Sequence, residues 1–70
     1  MEFKNKTIGQ KIRIFRQKMK LTQTELGEYI GMDKDAVSRI ERNKQLVKAT
    51  DLFAIADTLG VNIYDFSKWN

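Results

Sequence analysis

The sequence predicts a helical protein, and three observations carry this prediction. Apolar residues recur at helical spacing in two segments, and the chain between them holds the start and stop signals of two short helices. Asn62 is a suitable cap for a last short helix over residues 63–67. The apolar residues of the two segments are Ile8, Ile12 and Phe15, then Leu52, Ile55, Ala56 and Leu59; with Leu21, Leu26, Ile30, Val37, Ile40, Val61, Ile63 and Phe66 they form the predicted core.

The first of the two short helices is predicted from Thr22 to Ile30. Thr22 and Glu25 stand three residues apart, so each side chain can satisfy the free backbone N–H of the other. Gly27 leaves room where a second helix must approach closely. Gly31 ends the helix, because glycine enters the left-handed conformation without steric penalty.

The second short helix is predicted over residues 34–42, with Asp33 accepting from the N–H groups that open it and only three residues left for the turn. On a helical wheel its polar and apolar side chains occupy opposite arcs. The polar arc holds Lys34, Ser38, Arg42, Asp35 and Arg39, and the apolar arc holds Ala36, Ile40 and Val37. Such a polar arc can read base edges in the major groove of DNA, although the solvated face of an ordinary amphipathic helix has the same pattern.

Several short motifs follow one another along nearly the whole chain. They are Ile8-Gly9 with Ile12 and Arg16, Leu21-Thr22-Gln23 with Glu25-Leu26, Ile30-Gly31, Val37-Ser38-Arg39-Ile40-Glu41-Arg42, and Leu52 with Ile55-Ala56 and Leu59-Gly60-Val61. In this order and spacing they resemble the phage-repressor and Cro type of helix-turn-helix domain, the xenobiotic response element family. The resemblance implies that residues 1–70 form one compact, all-α, five-helix lambda-repressor-like domain with a central helix-turn-helix at about residues 22–42. It also implies a regulator of transcription whose third helix reads double-stranded DNA.

The resemblance assigns DNA contacts to specific positions. Base contacts fall on Lys34, Asp35, Ser38 and Arg39, which agrees with the polar arc. Phosphate contacts fall on Thr22 and Gln23 at the start of the first short helix, and on Arg42, Asn43 and Lys44 at the end of the second. Gln23 can alternatively be a surface residue, and the Asp35 carboxylate can accept from cytosine, favour the helix start or repel phosphate.

Arg16 and Glu41 are expected to be structural. In the family these positions usually form a partly buried ion pair that joins the first helix to the recognition helix. Glu41 lies between the polar and apolar arcs, where an unpaired carboxylate would be costly.

Three places depart from the family pattern. Lys20 stands where a glycine often closes the first helix, and Asn43 replaces the usual glycine after Glu41-Arg42. Because Asn is the next most tolerant residue of positive φ, the second turn is expected to survive. Around Val47-Lys48 the customary proline and Ser or Thr cap are missing, so the start of the fourth helix is the least defined boundary.

Composition limits the alternatives. The chain has 70 residues, no cysteine and no histidine, so we expect one small domain held by neither disulfides nor metal ions and containing no cofactor. An enzyme is disfavoured, because catalysis would rest on Asp, Glu, Lys, Ser or Tyr in a domain with little enclosed space. No small-molecule ligand is indicated. No signal peptide or membrane span is recognisable, and a cytoplasmic protein is expected.

The net charge of +4 is unevenly distributed. Residues 1–21 carry seven Lys or Arg against one acid, and residues 34–48 carry five against two, whereas residues 22–33 carry three acids and no base. Phosphate binding requires the basic groups to share a face. We expect the recognition helix, the loop after it and the end of the first helix to do so.

Tyr64, Trp69 and Phe53 are more aromatic surface than so small a chain needs for its own core. They predict a homodimer interface, which would place two recognition helices on an inverted repeat with half-sites about one helical turn apart. Trp69 can alternatively fold back on the core. The rival functional class is a protein-interaction module on the same fold, of the antitoxin or anti-repressor type.

Overall fold

A computed structural model describes residues 6–67, and these residues form five helices without a strand. The helices are α1 (Ile8–Lys18), α2 (Gln23–Ile30), α3 (Lys34–Glu41), α4 (Ala49–Leu59) and α5 (Tyr64–Ser67). This confirms the all-α class and the helix-turn-helix, which α2 and α3 form. Two helices are each one residue shorter than the approximate range predicted for them, because Arg42 caps α3 instead of extending it and α5 begins at Tyr64. Asn62 caps the last helix as predicted, since its side chain accepts from the Tyr64 N–H at 2.9 Å.

Side chains cap the starts of α1, α2 and α3. Thr22 and Glu25 form the predicted reciprocal pair, with the Glu25 N–H donating to the Thr22 hydroxyl at 3.0 Å and the Thr22 N–H donating to the Glu25 carboxylate at 2.8 Å. Asp33 accepts from the Ala36 N–H at 2.8 Å. A second reciprocal pair, Thr7 with Gln10, opens α1. The start of α4 at Lys48 has no side-chain cap, as the sequence there predicts.

A residue in the left-handed conformation follows each of the four longer helices. These residues are Lys20 (φ 60°), Gly31 (φ 75°), Asn43 (φ 60°) and Gly60 (φ 68°). The next N–H turns back onto the helix, so that Lys44 N donates to the Arg39 carbonyl at 2.8 Å and Leu21 N donates to the Arg16 carbonyl at 3.1 Å. The turns at Lys20 and Asn43 are therefore formed without glycine.

All five helices contribute side chains to one buried core. All predicted core residues are either buried or packed against the buried cluster, and Met32 and Val47 join them. Phe15 of α1 meets Phe66 of α5 edge to face, with ring centroids 5.6 Å apart. The buried members are Ile12, Leu26, Val37, Ile40, Ile55, Ala56, Leu59 and Phe66.

Glycines permit two close approaches that set the position of α3. A Cβ on Gly27 would collide with the Met32 carbonyl, so the close approach at this glycine is made by the turn before α3 and not, as predicted, by the second helix itself. A Cβ on Gly9 would collide with the Ile40 carbonyl oxygen. The start of α1 therefore lies directly against the end of α3.

Lys11 is an unexpected member of the interior. Its side chain is fully buried, and its ammonium donates to the Phe66 carbonyl at 3.4 Å. Burial lowers the pKa of Lys11, and the nearby Asp65 carboxylate partly opposes that shift. The contact joins α1 to α5.

Candidate nucleic-acid interface

α3 divides into a buried side and an exposed side, as its wheel predicts. Val37, Ile40 and Glu41 are 2%, 3% and 4% exposed. Ser38 is half-buried, and the other polar residues of the arc are exposed. We call the set Lys34, Asp35, Ser38, Arg39 and Arg42 the outward face of α3.

Three side chains from three helices meet beneath the outward face. Arg16 donates from Nε and Nη2 to the two carboxylate oxygens of Glu41, at 2.6 and 3.1 Å, and from Nη1 to the Leu21 carbonyl at 2.8 Å. Gln23 donates from its amide to Glu41 Oε1 at 3.1 Å. The Arg16 and Glu41 side chains are 10% and 2% exposed. We call Arg16, Gln23 and Glu41 the brace, because it ties α1 and α2 to the last turn of α3.

Basic side chains from α1, the α1–α2 corner and α3 line an open groove above the brace. A second groove continues it past Arg13, Arg42 and Asn43 to Lys6. Among the described residues that line the two grooves, Glu41 is the one acid, and it is paired in the brace. The cations are Lys6, Arg13, Arg16, Lys20, Lys34 and Arg42, and we call this surface the basic groove.

The start of α2 forms one wall of the basic groove. The Thr22 hydroxyl accepts from Glu25 N, so its own O–H can still donate to a ligand. One N–H of the Gln23 amide donates to Glu41, and the second N–H can still donate to a phosphate. Asn43 and Lys44 are exposed just beyond α3.

Two arginines of the outward face have their Nε atoms engaged by neighbouring side chains. Arg39 Nε donates to the Gln45 amide oxygen at 2.9 Å, and Arg42 Nε donates to the Ser38 hydroxyl at 3.2 Å. The Ser38 hydroxyl, expected at a base, therefore also orients Arg42.

Sequence reasoning missed Arg13, Lys6 and Gln45. Arg13 lies one turn before Arg16 on α1, and this spacing was a usable signal that it faces α3. Lys6 precedes α1 and carries no spacing signal. The contact of Gln45 with Arg39 depends on the turn after α3, which helical periodicity does not describe.

The residues predicted for a dimer interface fall into two groups. Phe53 and Tyr64 are 60% and 68% exposed, whereas Trp69 lies outside the described residues. Leu46, in the loop between α3 and α4, is 95% exposed and was not predicted. Over residues 6–67 no helix is long and apolar enough to cross a membrane, and acidic residues in this range do not gather in threes as a metal site requires.

The chain matches a family model described as helix-turn-helix over residues 12–66. It is similar to the immunity repressor protein of Bacillus phage phi105, with 33% identity over 57 residues, 81% of this chain and 40% of the repressor. The chain thus spans about two fifths of that relative's length.

Two solved structures of DNA complexes have similar folds. One is the P22 c2 repressor with a synthetic operator, with a TM-score of 0.83 and 27% identity over 89% of this chain and 94% of that chain. The other is SinR, a master regulator of biofilm formation, in complex with DNA, with a TM-score of 0.82 and 30% identity over 89% of this chain and 100% of that chain.

Proposed function

The chain belongs to the helix-turn-helix family of the Cro and phage-repressor type, and from that premise we propose that it is a sequence-specific regulator of transcription. It binds double-stranded DNA by inserting α3 into the major groove. The observation that carries this proposal is the outward face of α3, which presents two arginines, a lysine, a carboxylate and a hydroxyl on a helix whose other side is held in the core.

Lys34 and Arg39 make the principal base contacts. Both are exposed, and Arg and Lys are the side chains best suited to the acceptor pair of guanine in the major groove. Ser38 and Asp35 contribute secondary contacts. The Asp35 carboxylate suits a cytosine amino group and disfavours phosphate, so it adds selectivity more than affinity.

The basic groove holds the DNA backbone. Its cations come from α1, the α1–α2 corner and α3, and they flank the helix start at Thr22 and Gln23. Cationic side chains and a helix N-terminus bind phosphate without regard to sequence, and they fix the orientation of the protein on the duplex. Arg42, Asn43 and Lys44 extend this contact beyond α3.

The protein acts as a homodimer and a repressor. A single domain of this size covers little DNA, and a symmetric pair on an inverted repeat supplies the missing affinity. Exposed Phe53 and Tyr64, with Trp69, provide the apolar surface for pairing. Repression requires only that the protein occupy a promoter, and it is the activity named for the phage phi105 relative.

A second candidate is a protein-interaction module on the same fold. It is favoured by the exposed apolar side chains of Leu46, Phe53 and Tyr64, which are 95%, 60% and 68% exposed. Exposed apolar side chains mark a protein contact where they share one surface patch. In this alternative the partner protein covers the apolar surface, and DNA is bound weakly and without sequence preference.

Selection of binding sites from a randomised pool of DNA duplexes, at near-physiological salt, tests the proposal. An enriched inverted repeat with half-sites about one helical turn apart supports a dimeric regulator. An enriched single half-site supports DNA reading and contradicts the dimer. Recovery of no motif, from protein shown to be folded, would overturn the proposal in favour of the interaction module.

Two double variants of equal net charge serve as test and control in the selection experiment. Lys34→Ala with Arg39→Ala removes two cations from the outward face, and the motif should be lost. Lys18→Ala with Lys48→Ala removes two exposed cations that do not line the basic groove, and the motif should persist. Affinity for the selected sequence should also fall steeply as salt rises, because counterions are released on binding.

A further inference from the structure

Gln45 lies beyond α3, yet its side chain contacts the outward face. Its amide oxygen accepts from Arg39 Nε at 2.9 Å, although the two residues are six positions apart. Both side chains are exposed, so the contact is not a by-product of burial.

The turn after α3 brings Gln45 to Arg39. Asn43 adopts φ 60°, its N–H donates to the Ile40 carbonyl at 3.1 Å, and the Lys44 N–H donates to the Arg39 carbonyl at 2.8 Å. This pair of bonds reverses the chain at the helix end. Lys44 is thereby bonded to the backbone of the same residue whose side chain Gln45 holds.

The hydrogen bond to Gln45 selects which edge of Arg39 is available. A guanidinium can form paired hydrogen bonds through Nε with one terminal nitrogen, or through its two terminal nitrogens. Engagement of Nε leaves the second edge free. That edge presents two parallel N–H groups, which fit the O6 and N7 acceptors of guanine.

The contact also lowers the conformational cost of binding. An exposed arginine samples many rotamers, and fixing it at a base costs side-chain entropy. An arginine already oriented by a neighbour loses less on binding, so more of its hydrogen bonding is expressed as affinity for the correct base.

We propose that Gln45 is a positioning residue that sets the base preference of Arg39. The inference rests on the proposed function, because it presupposes that Arg39 reads a base pair. It adds a residue outside the helix-turn-helix to those that determine which DNA sequence the protein prefers.

Quantitative selection with wild type and Gln45→Ala tests the inference. The variant should lose about three- to tenfold of its preference at one base pair, as expected for a single hydrogen bond, with an unchanged thermal unfolding midpoint. Gln45→Glu keeps an acceptor oxygen at the same distance and should retain the preference, while its added negative charge weakens binding to all sequences alike.

A double-mutant cycle separates positioning from direct contact. In an Arg39→Ala background, Gln45→Ala should change no base preference, because the residue acts through Arg39. If Gln45→Ala instead alters preference at a different base pair in both backgrounds, Gln45 itself contacts DNA and the inference is overturned.

Failure of the inference and failure of the proposed function give different results. A wild-type motif that Gln45→Ala leaves unchanged at every position overturns the inference alone. If folded wild-type protein enriches no motif, the proposed function fails and the inference fails with it.

Discussion

Arginines from two regions of the molecule have opposite surroundings. Arg16, in the brace, is buried and donates three hydrogen bonds, two of them to the Glu41 carboxylate. Arg39, on the outward face, is exposed, and the one side-chain partner found for it within residues 6–67 is Gln45. In the brace, the Arg16 guanidinium is paired with Glu41 and fixes the position of α3. On the outward face, the exposed Arg39 guanidinium can still bind a ligand through its terminal nitrogens.

The contrast shows how a short helix can be held rigidly in the fold and still present side chains that can bind a ligand. An isolated helix of eight residues is not stable in water, so α3 must be held by its neighbours. The brace and the buried side chains of Val37 and Ile40 supply that support. The side chains of the outward face are therefore not needed to hold α3 in place, and their residue types can serve binding instead of stability.

The largest expected effect is the loss of unfolding free energy when the brace is broken. Arg16→Ala leaves the Glu41 carboxylate buried without its cation, and breaking a buried pair costs about 3–5 kcal/mol of unfolding free energy. Urea denaturation of wild type and variant measures this loss. Base preference should be unchanged in the fraction that remains folded, because both side chains are engaged in the brace and neither belongs to the outward face of α3.

A double variant keeps this prediction testable if Arg16→Ala does not fold. Arg16→Met with Glu41→Leu replaces both charges by apolar groups of similar size, which is often neutral for stability. The double variant should therefore be more stable than Arg16→Ala, although it loses the bonds to the Leu21 carbonyl and the Gln23 amide, and it should select the same motif. A changed motif from this folded protein would mean that the brace takes part in recognition.

The second effect concerns the outward face. Arg39→Ala should cost about 1–3 kcal/mol of binding free energy at a single base pair, measured by competition between the selected sequence and its single-base variants. Stability should not change, because Arg39 is exposed. Arg39→Lys keeps the charge but not the fork, and it should lose most of the same preference.

A uniform loss on all sequences would contradict the assignment of Arg39. Such a result is the signature of a phosphate contact, since the backbone is the same at every position. Arg39 would then belong with the basic groove.

A third effect distinguishes the middle of α1 from its last residue. Arg13→Gln and Lys18→Gln each remove one exposed cation from the same helix, but of the two only Arg13 lines the basic groove. Arg13→Gln should weaken binding to all sequences and reduce the slope of log affinity against log salt by about 1. Lys18→Gln should leave the slope unchanged, and equal slopes for the two variants would remove Arg13 from the interface.

The same contrast separates what the sequence could predict from what it could not. The helices, the caps at Thr22 and Asp33 and the two sides of α3 follow from periodicity and local chemistry, and the structure confirms them. Lys11 falls on the apolar stripe of α1 between Ile8 and Ile12, so its position indicated burial. Its residue type predicted the opposite, because lysine is rarely buried.

The contact between Gln45 and Arg39 had no such signal. It depends on the left-handed conformation of Asn43, which determines where the loop returns to the helix. Local sequence predicted that the turn would form, and it could not specify which side chains the turn brings together. Contacts across helix ends are therefore the part of the site that required coordinates.

The smallest effect arises at Lys20, in the corner between α1 and α2. Its backbone closes α1 beside the brace at φ 60°, and its side chain lines the basic groove. A left-handed conformation costs a residue with a Cβ about 1–2 kcal/mol, and replacement by glycine removes this cost. Glycine also increases the conformational entropy of the unfolded chain, which reduces the gain in stability by about 0.4–1 kcal/mol. Lys20→Gly should therefore raise the unfolding free energy by about 0.5–1 kcal/mol and weaken DNA binding at low salt.

Lys20→Ala is the matched control for this prediction. It removes the same charge but keeps the Cβ, so it should weaken DNA binding as much as Lys20→Gly without the gain in stability. Thermal denaturation and salt titration of the two variants measure the two effects independently. If both variants have the same stability, the strain at Lys20 only matches the entropic cost of glycine in the unfolded chain, about 0.4–1 kcal/mol, and the departure from glycine at this position has no net cost to folding.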